Sequence, residues 1–209
     1  MKKIVIVDYD CGNLLSLKRG IEKIGLTSEI SRDQDKILNS THLILPGVGA
    51  FGNAMDLLKK FDLENTIKKY ALEMKKPLLG ICLGMQLLLS KSFEFGEHEG
   101  LGVINGKVIK IDQLANLKIK VPNIGWNEIK IEKEKSFQIF DNKSFYFVHS
   151  FISVTENKNE TIAHCNYYDL KIPSIIKKNN IIGCQFHPEK SSKNGLKFLE
   201  YFCNSNKKH

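Results

Sequence analysis

Along the first ninety residues, short apolar runs alternate with longer stretches in which apolar positions recur every three or four residues. Lys3–Asp8 is a β-branched run suited to a buried strand, and it closes in the turn-forming "DYDCGN". Leu14, Leu17, Ile21 and Ile24 then share one helical face, with Gly25 as the stop. Thr27–Ile30 is predicted as a second strand, His42–Leu45 as a third closed by "PGVG", and Pro77–Ile81 as a fourth. Phe51–Phe61, Leu63–Met74 and Gly84–Lys91 carry helical periodicity. Such alternation predicts a parallel, doubly wound sheet with helices on both faces.

The second half changes character. Lys107–Ile111, Glu128–Ile131, Phe145–Val148, Thr161–Cys165, Ser174–Lys177 and Ile181–Gln185 are short strand candidates spaced for hairpins, and Gly195–Asn204 reads as a closing helix. The expected fold is therefore an α/β three-layer sandwich, its mostly parallel sheet extended by antiparallel strands in the C-terminal half. With 209 residues, 42% of them hydrophobic, one domain spanning 1–209 is expected.

No run approaches the eighteen or more apolar residues of a membrane span. The N-terminal "MKKIVIVD" superficially resembles a signal peptide, but Asp8 ends its apolar run and no small-residue cleavage site follows. Five cysteines without a C-x-x-C pair argue against zinc or a disulfide framework and for reduced thiols in the cytoplasm. The net charge of +8 is almost all lysine, since Arg19 and Arg32 are the only arginines. Lysines scattered among glutamates describe a solvated surface better than a nucleic-acid footprint.

Candidate chemistry begins at "PLLGICLGMQ", where Cys82 has glycine two residues before and two after, between a strand and a helix. A nucleophile on a sharp strand-to-helix turn needs neighbours without side chains, as in the G-x-S-x-G elbow. The helix start near Leu83 would favour a thiolate, and the Leu83 amide could stabilise an oxyanion. Spacing alone fits a buried packing cysteine equally well. In "CQFHPEKS", His187 and Glu189 stand two apart around Pro188, which predicts an extended segment with both side chains on one side. A carboxylate there would fix the tautomer of the imidazole. Both motifs follow apolar strands, and open α/β sheets bind ligands at the carboxyl ends of strands.

"PLLGICLGMQ", "PGVGAFGNAM", "FYFVHSF" and "GCQFHPEKSSKNG" together resemble the class I glutamine amidotransferases, and the resemblance runs nearly end to end. Within that family it is to glutaminase subunits that feed a (β/α)8-barrel cyclase of histidine biosynthesis. The resemblance implies hydrolysis of glutamine by Cys82, His187 and Glu189 through a glutamyl thioester, with no metal or organic cofactor. It implies oxyanion donors at Leu83 and at Val48–Gly49. Glutamine contacts would come from Gly49, Gln86, Glu94, Ser150 and Phe151. Asn13, Trp126, Tyr146 and Lys190 would face the barrel partner and the ammonia gate, although a lone tryptophan equally suits a core. His149 is expected to be structural rather than a second base.

Asp10, Asn123 and Ile124 depart from the glycine, histidine and methionine usual in the family. They leave open a paralogue that supplies ammonia for amidation or amidination of a surface sugar. A catalytically silent binding or regulatory module is the alternative from another class.

Overall fold

A computed structural model describes residues 2–114 and 119–205. The alternating half comprises β1 (Ile4–Val7), α1 (Leu14–Lys23), β2 (Ser28–Ser31), α2 (Gln34–Leu38), β3 (His42–Leu45), α3 (Phe51–Lys60), α4 (Leu63–Lys68), β4 (Leu78–Ile81) and α5 (Leu83–Leu87). There follow β5 (Lys91–Ser92), β6 (His98–Glu99), β7 (Gly106–Lys110), β8 (Asn123–Ile131) and β9 (Lys143–His149). The chain ends with β10 (Phe151–Thr155), β11 (Thr161–Tyr167), β12 (Leu170–Lys178), β13 (Ile181–Cys184) and α6 (Ser192–Asn204).

Nine strands form one sheet in the order β2-β1-β3-β4-β13-β12-β11-β8-β9. From β2 to β13 neighbouring strands are parallel, and from β13 to β9 they are antiparallel. The last strand in sequence, β13, thus sits at the centre, where the two halves join. A second sheet of four, β10-β7-β5-β6, carries the "FEFGEHEG" segment on its edge. Two apolar clusters pack the structure, one around Ile6, Ile44 and Phe186 and the other around Val5, Leu43 and Met85. Neighbouring residues of one strand thus feed different clusters, as expected of strands buried on both faces.

Several expected boundaries need correction. The helix expected over Gly84–Lys91 stops at Leu87, and Lys91 already belongs to β5. Leu87, Leu88 and Leu89 are all fully buried, so that run never marked one face of a longer helix. The helix expected to reach Met74 is α-helical to Lys68 and continues as a wide π turn over Lys69–Glu73. The unexpected α2 is short and mostly polar, and it starts where the Asp33 side chain accepts from the Lys36 N–H at 2.9 Å. Among the described residues no helix is long and apolar enough to cross a membrane.

Candidate active site

Strand β4 lies between β3 and β13, with Leu45 beside Gly80 and Ile81 beside Cys184. The loops leaving these three parallel strands therefore open on one end of the sheet. They are "PGVG" after β3, the Cys82 turn after β4 and the His187 segment after β13. This adjacency answers whether the distant motifs meet.

Cys82 adopts φ 53° and ψ −108°, a conformation that side chains rarely occupy, and its N–H donates to Cys184 O at 2.8 Å. The glycines around it are sterically required. A Cβ on Gly84 would lie 1.9 Å from Leu45 O, and one on Gly80 would lie 2.6 Å from Gly84 O. The turn can press against β3 only because both lack side chains.

His187 is buried, with its Nδ1 2.8 Å from Oε1 of Glu189. The local conformation differs from the extended segment expected: Pro188–Lys190 is a 3-10 turn, closed by the Lys190 N–H on His187 O at 3.0 Å. The tight turn folds the carboxylate back onto the ring. His187 Nε2 has no partner of full hydrogen-bond geometry among the described residues, and both Cys82 and Glu189 act electrostatically on the ring. Burial alone would lower the pKa of His187. Hydrogen bonding and charge from Cys82 and from Glu189 together outweigh burial and push it up to about 10. The imidazole is thus held as a cation between a sulfur and a carboxylate.

The "PGVG" loop packs onto the start of α5: a Cβ on Gly47 would lie 3.0 Å from Leu83 Cβ and 3.1 Å from Gly84 N. Its carbonyls are tethered from the β1 side. The Tyr9 hydroxyl donates to Pro46 O at 2.6 Å, and the Cys11 thiol donates to Val48 O at 2.7 Å. Gly49 has φ 102° and open space where a Cβ would be, while Val48 is half exposed. Pro46, Gly47 and Val48 share with Asn13, His187 and Glu189 the lining of a cavity of about 10 Å³.

Gln86, one turn beyond Cys82, is buried and donates Nε2 to Phe151 O at 3.0 Å. The Ser150 carbonyl accepts from Ile111 N at 2.9 Å. Glu94 is buried, and its Oε2 accepts the Phe51 N–H at 2.7 Å at the otherwise uncapped start of α3. Burial raises its pKa, against the opposing influence of that N–H and of His98. The next residue, Phe95, meets Phe151 edge-on at 6.3 Å, which brings the Glu94 segment beside the Phe151 main chain.

His149 is a linking residue, as expected: Nδ1 lies 2.9 Å from Phe151 O and Nε2 lies 3.1 Å from Asn123 Nδ2. Burial lowers its pKa to about 4, so it is neutral beside a charged His187. One buried polar residue escaped the sequence reading. Gln185, fully buried, lies with its Nε2 3.7 Å from the Cys82 sulfur and its Oε1 3.2 Å from Gln86 Nε2. Its signal was present in "CQFHPEKS", as a carboxamide at the end of an all-apolar strand.

At the rim, Trp126 is 54% exposed, which decides against a core role. Its ring lies edge-on to Tyr146 at 6.1 Å, and Lys190 Nζ stands 6.0 Å above the Tyr146 ring. Asn13 is exposed and caps α1, accepting from Ser16 N at 3.3 Å.

At the junction of the parallel and antiparallel parts of the sheet, a strained cysteine elbow thus faces a buried His-Glu pair. Consistent with it, the family described as Glutamine amidotransferase class-I matches residues 5–204. The imidazole glycerol phosphate synthase subunit HisH of Lactococcus lactis is 47% identical over 204 residues, 97% of this chain and 98% of that one. The HisH subunit of Methanosarcina barkeri is 47% identical over 205 residues, covering 97% and 98%. Among solved structures, a crystal structure of a glutamine amidotransferase superposes with TM-score 0.73 at 19% identity, covering 95% and 98%. The PurLQS structure from Thermotoga maritima gives 0.71 at 17%, covering 97% and 98%. The chain belongs to the class-I glutamine amidotransferases, in the HisH family of imidazole glycerol phosphate synthase subunits.

Proposed function

We propose that this chain hydrolyses glutamine to glutamate and ammonia and passes the ammonia to a (β/α)8-barrel cyclase subunit. The pair then makes imidazole glycerol phosphate and AICAR in histidine biosynthesis. The observation that carries the chemistry is the His187 imidazole held between the Cys82 sulfur and Glu189. The ionised sulfur attacks the carboxamide carbon, and the oxyanion is met by main-chain N–H groups at Leu83 and at Val48–Gly49. His187, already cationic, gives its proton to the departing nitrogen, and ammonia leaves a γ-glutamyl thioester. Water then attacks the thioester with His187 as base, and the sulfur departs as thiolate. Glu189 fixes the ring through Nδ1. Gly49, Gln86, Glu94, Ser150 and Phe151 frame the substrate, with Glu94 offering a carboxylate to its ammonium group.

The rim formed by Asn13, Trp126, Tyr146 and Lys190 faces the cyclase. Free ammonia would be protonated in water at neutral pH, so a closed passage between subunits serves the reaction. Five free thiols accord with a cytoplasmic location. The test is glutamate release with and without a histidine-pathway cyclase and its ribulosyl nucleotide substrate. Low turnover alone, a large rise with the cyclase, and loss of both in Cys82→Ala are expected. A second reading, delivery to a barrel partner of sugar synthesis, draws on Ile124, which is 59% exposed on the same strand face as Trp126. Stimulation by that partner and not by the histidine-pathway cyclase would select it.

A further inference from the structure

Gln185 lies where β13 ends, with no solvent exposure and a carboxamide whose donors and acceptor must all be met inside the protein. Its orientation follows link by link from a group that has no choice. The Phe151 main-chain carbonyl can only accept, and it is approached by His149 Nδ1 at 2.9 Å and Gln86 Nε2 at 3.0 Å. Gln86 must therefore turn its NH2 toward it. The same NH2 lies 3.2 Å from the Gln185 side chain, so Gln185 presents its oxygen there, since the reverse orientation would set two donors against each other. The Gln185 NH2 is consequently directed at the Cys82 sulfur, 3.7 Å away. At the far end, Asn127 Nδ2 donates to Asn123 Oδ1 at 3.1 Å, which leaves Asn123 Nδ2 to donate to His149 Nε2. That contact puts the His149 proton on Nδ1, facing the carbonyl.

We infer that Gln185 stabilises the Cys82 thiolate through an N–H donated to the sulfur, and that Asn123, His149, the Phe151 carbonyl and Gln86 hold this N–H in place. The inference rests on the reading of Cys82 as the nucleophile. In the thiol form, the S–H has the Val148 carbonyl as acceptor at 3.9 Å, a contact that ionisation removes. Gln185 compensates on the ionised side. Unlike His187, it has no proton to lose, so it still donates when the sulfur is expelled from the thioester and the imidazole is serving as base. A neutral donor to a charged sulfur strengthens the hydrogen bond relative to the thiol, which lowers the pH at which the sulfur ionises.

The ionisable groups that act on the sulfur are His187, backed by Glu189, together with Tyr9 and Cys184. Burial pushes Tyr9 and Cys184 well above their ordinary ranges, so both stay protonated through the neutral range. The experiment is the rate of Cys82 alkylation by iodoacetamide against pH, on the full chain. Peptide mapping separates the more accessible Cys11, and Gln185→Met and Gln185→Glu are compared with wild type.

Gln185→Met is expected to move the reactive midpoint up by about one pH unit, with alkylation roughly tenfold slower near neutrality, as loss of one charge-assisted bond implies. Gln185→Glu, which sets an anion beside the sulfur, is expected to move it further. A second measurement needs no variant: the Gln185 side-chain amide resonances of wild type should shift with the midpoint of Cys82 alkylation. Unchanged profiles in folded variants, or flat Gln185 resonances through that midpoint, would overturn the inference. The nucleophile reading has its own readout: a glutamine-analogue diazoketone should label Cys82. If it labels elsewhere while iodoacetamide still reports the Gln185 effect, the reading fails and the inference about the sulfur survives.

Discussion

Two imidazoles stand in one site, one charged and one neutral, and the difference comes from what each ring nitrogen meets. His187 has a carboxylate and a sulfur, whereas His149 has a carbonyl and an amide NH2. The consequences for stability have opposite signs. His187, raised from 6.5 to about 10, contributes stability that is complete below about pH 6.5 and is lost as pH rises through 10. His149, lowered to about 4, contributes stability that is complete above about pH 6.5 and is lost as pH falls through 4. Thermal melts across pH should therefore peak near neutrality. In Cys82→Ala the basic limb should flatten, because the sulfur no longer supports the imidazolium and burial, the largest single influence on His187, opposes it. Glu189→Gln should lower kcat on the order of 100-fold, as expected when general acid-base catalysis is impaired, with KM for glutamine little changed. An unchanged kcat would remove Glu189 from the site.

At the scale of elements, the elbow depends on an approach too close for any side chain. Gly84→Ala drives a methyl into the Leu45 carbonyl, which is main chain and cannot swing aside. A loss of more than about 4 kcal/mol of stability, or failure to fold, is expected in urea melts. Tyr9→Phe tests the loop tether instead. It strands the Pro46 carbonyl and should cost about 1–3 kcal/mol, with a fall in glutamine turnover beyond that of a surface control.

Elements with strong periodicity or β-branched runs were legible in the sequence: α1, α3, β1, β3, β4 and β13 fall within two residues of expectation. Elements made by context were not. The two-residue strands β5 and β6 exist because they pair with each other and β5 with β7, and nothing in "KS" or "HE" announces that. Strand β8 begins at Asn123, five residues before expectation, because it is half exposed and alternates through Gly125 and Trp126. The glycine elbow and the His-x-Glu motif were readable from spacing. The turn that folds Glu189 onto His187, and the buried carboxamide beside the sulfur, belong to tertiary packing.

Across the whole molecule, the rim continues the site outward. Strand β8 pairs Trp126 with Tyr146 and Ile124 with Val148 on β9, and the Val148 carbonyl is the one that borders the Cys82 sulfur. An exposed aromatic cluster one strand from Cys82 is suited to anchor a partner. Trp126→Ala should weaken cyclase binding by about 2 kcal/mol or more, measured by calorimetry, and leave the melting temperature of the isolated chain unchanged. Equal affinity in the variant would move the interface elsewhere.

The seat of β13 between β4 and β12 also has a consequence while the chain is being made. A ribosome extrudes Cys82 long before His187, and every growing chain short of Ile181 lacks the strand that pairs with β4. Such a chain leaves the flank of β4 unpaired, an edge open to stray extended segments until the closing strand arrives.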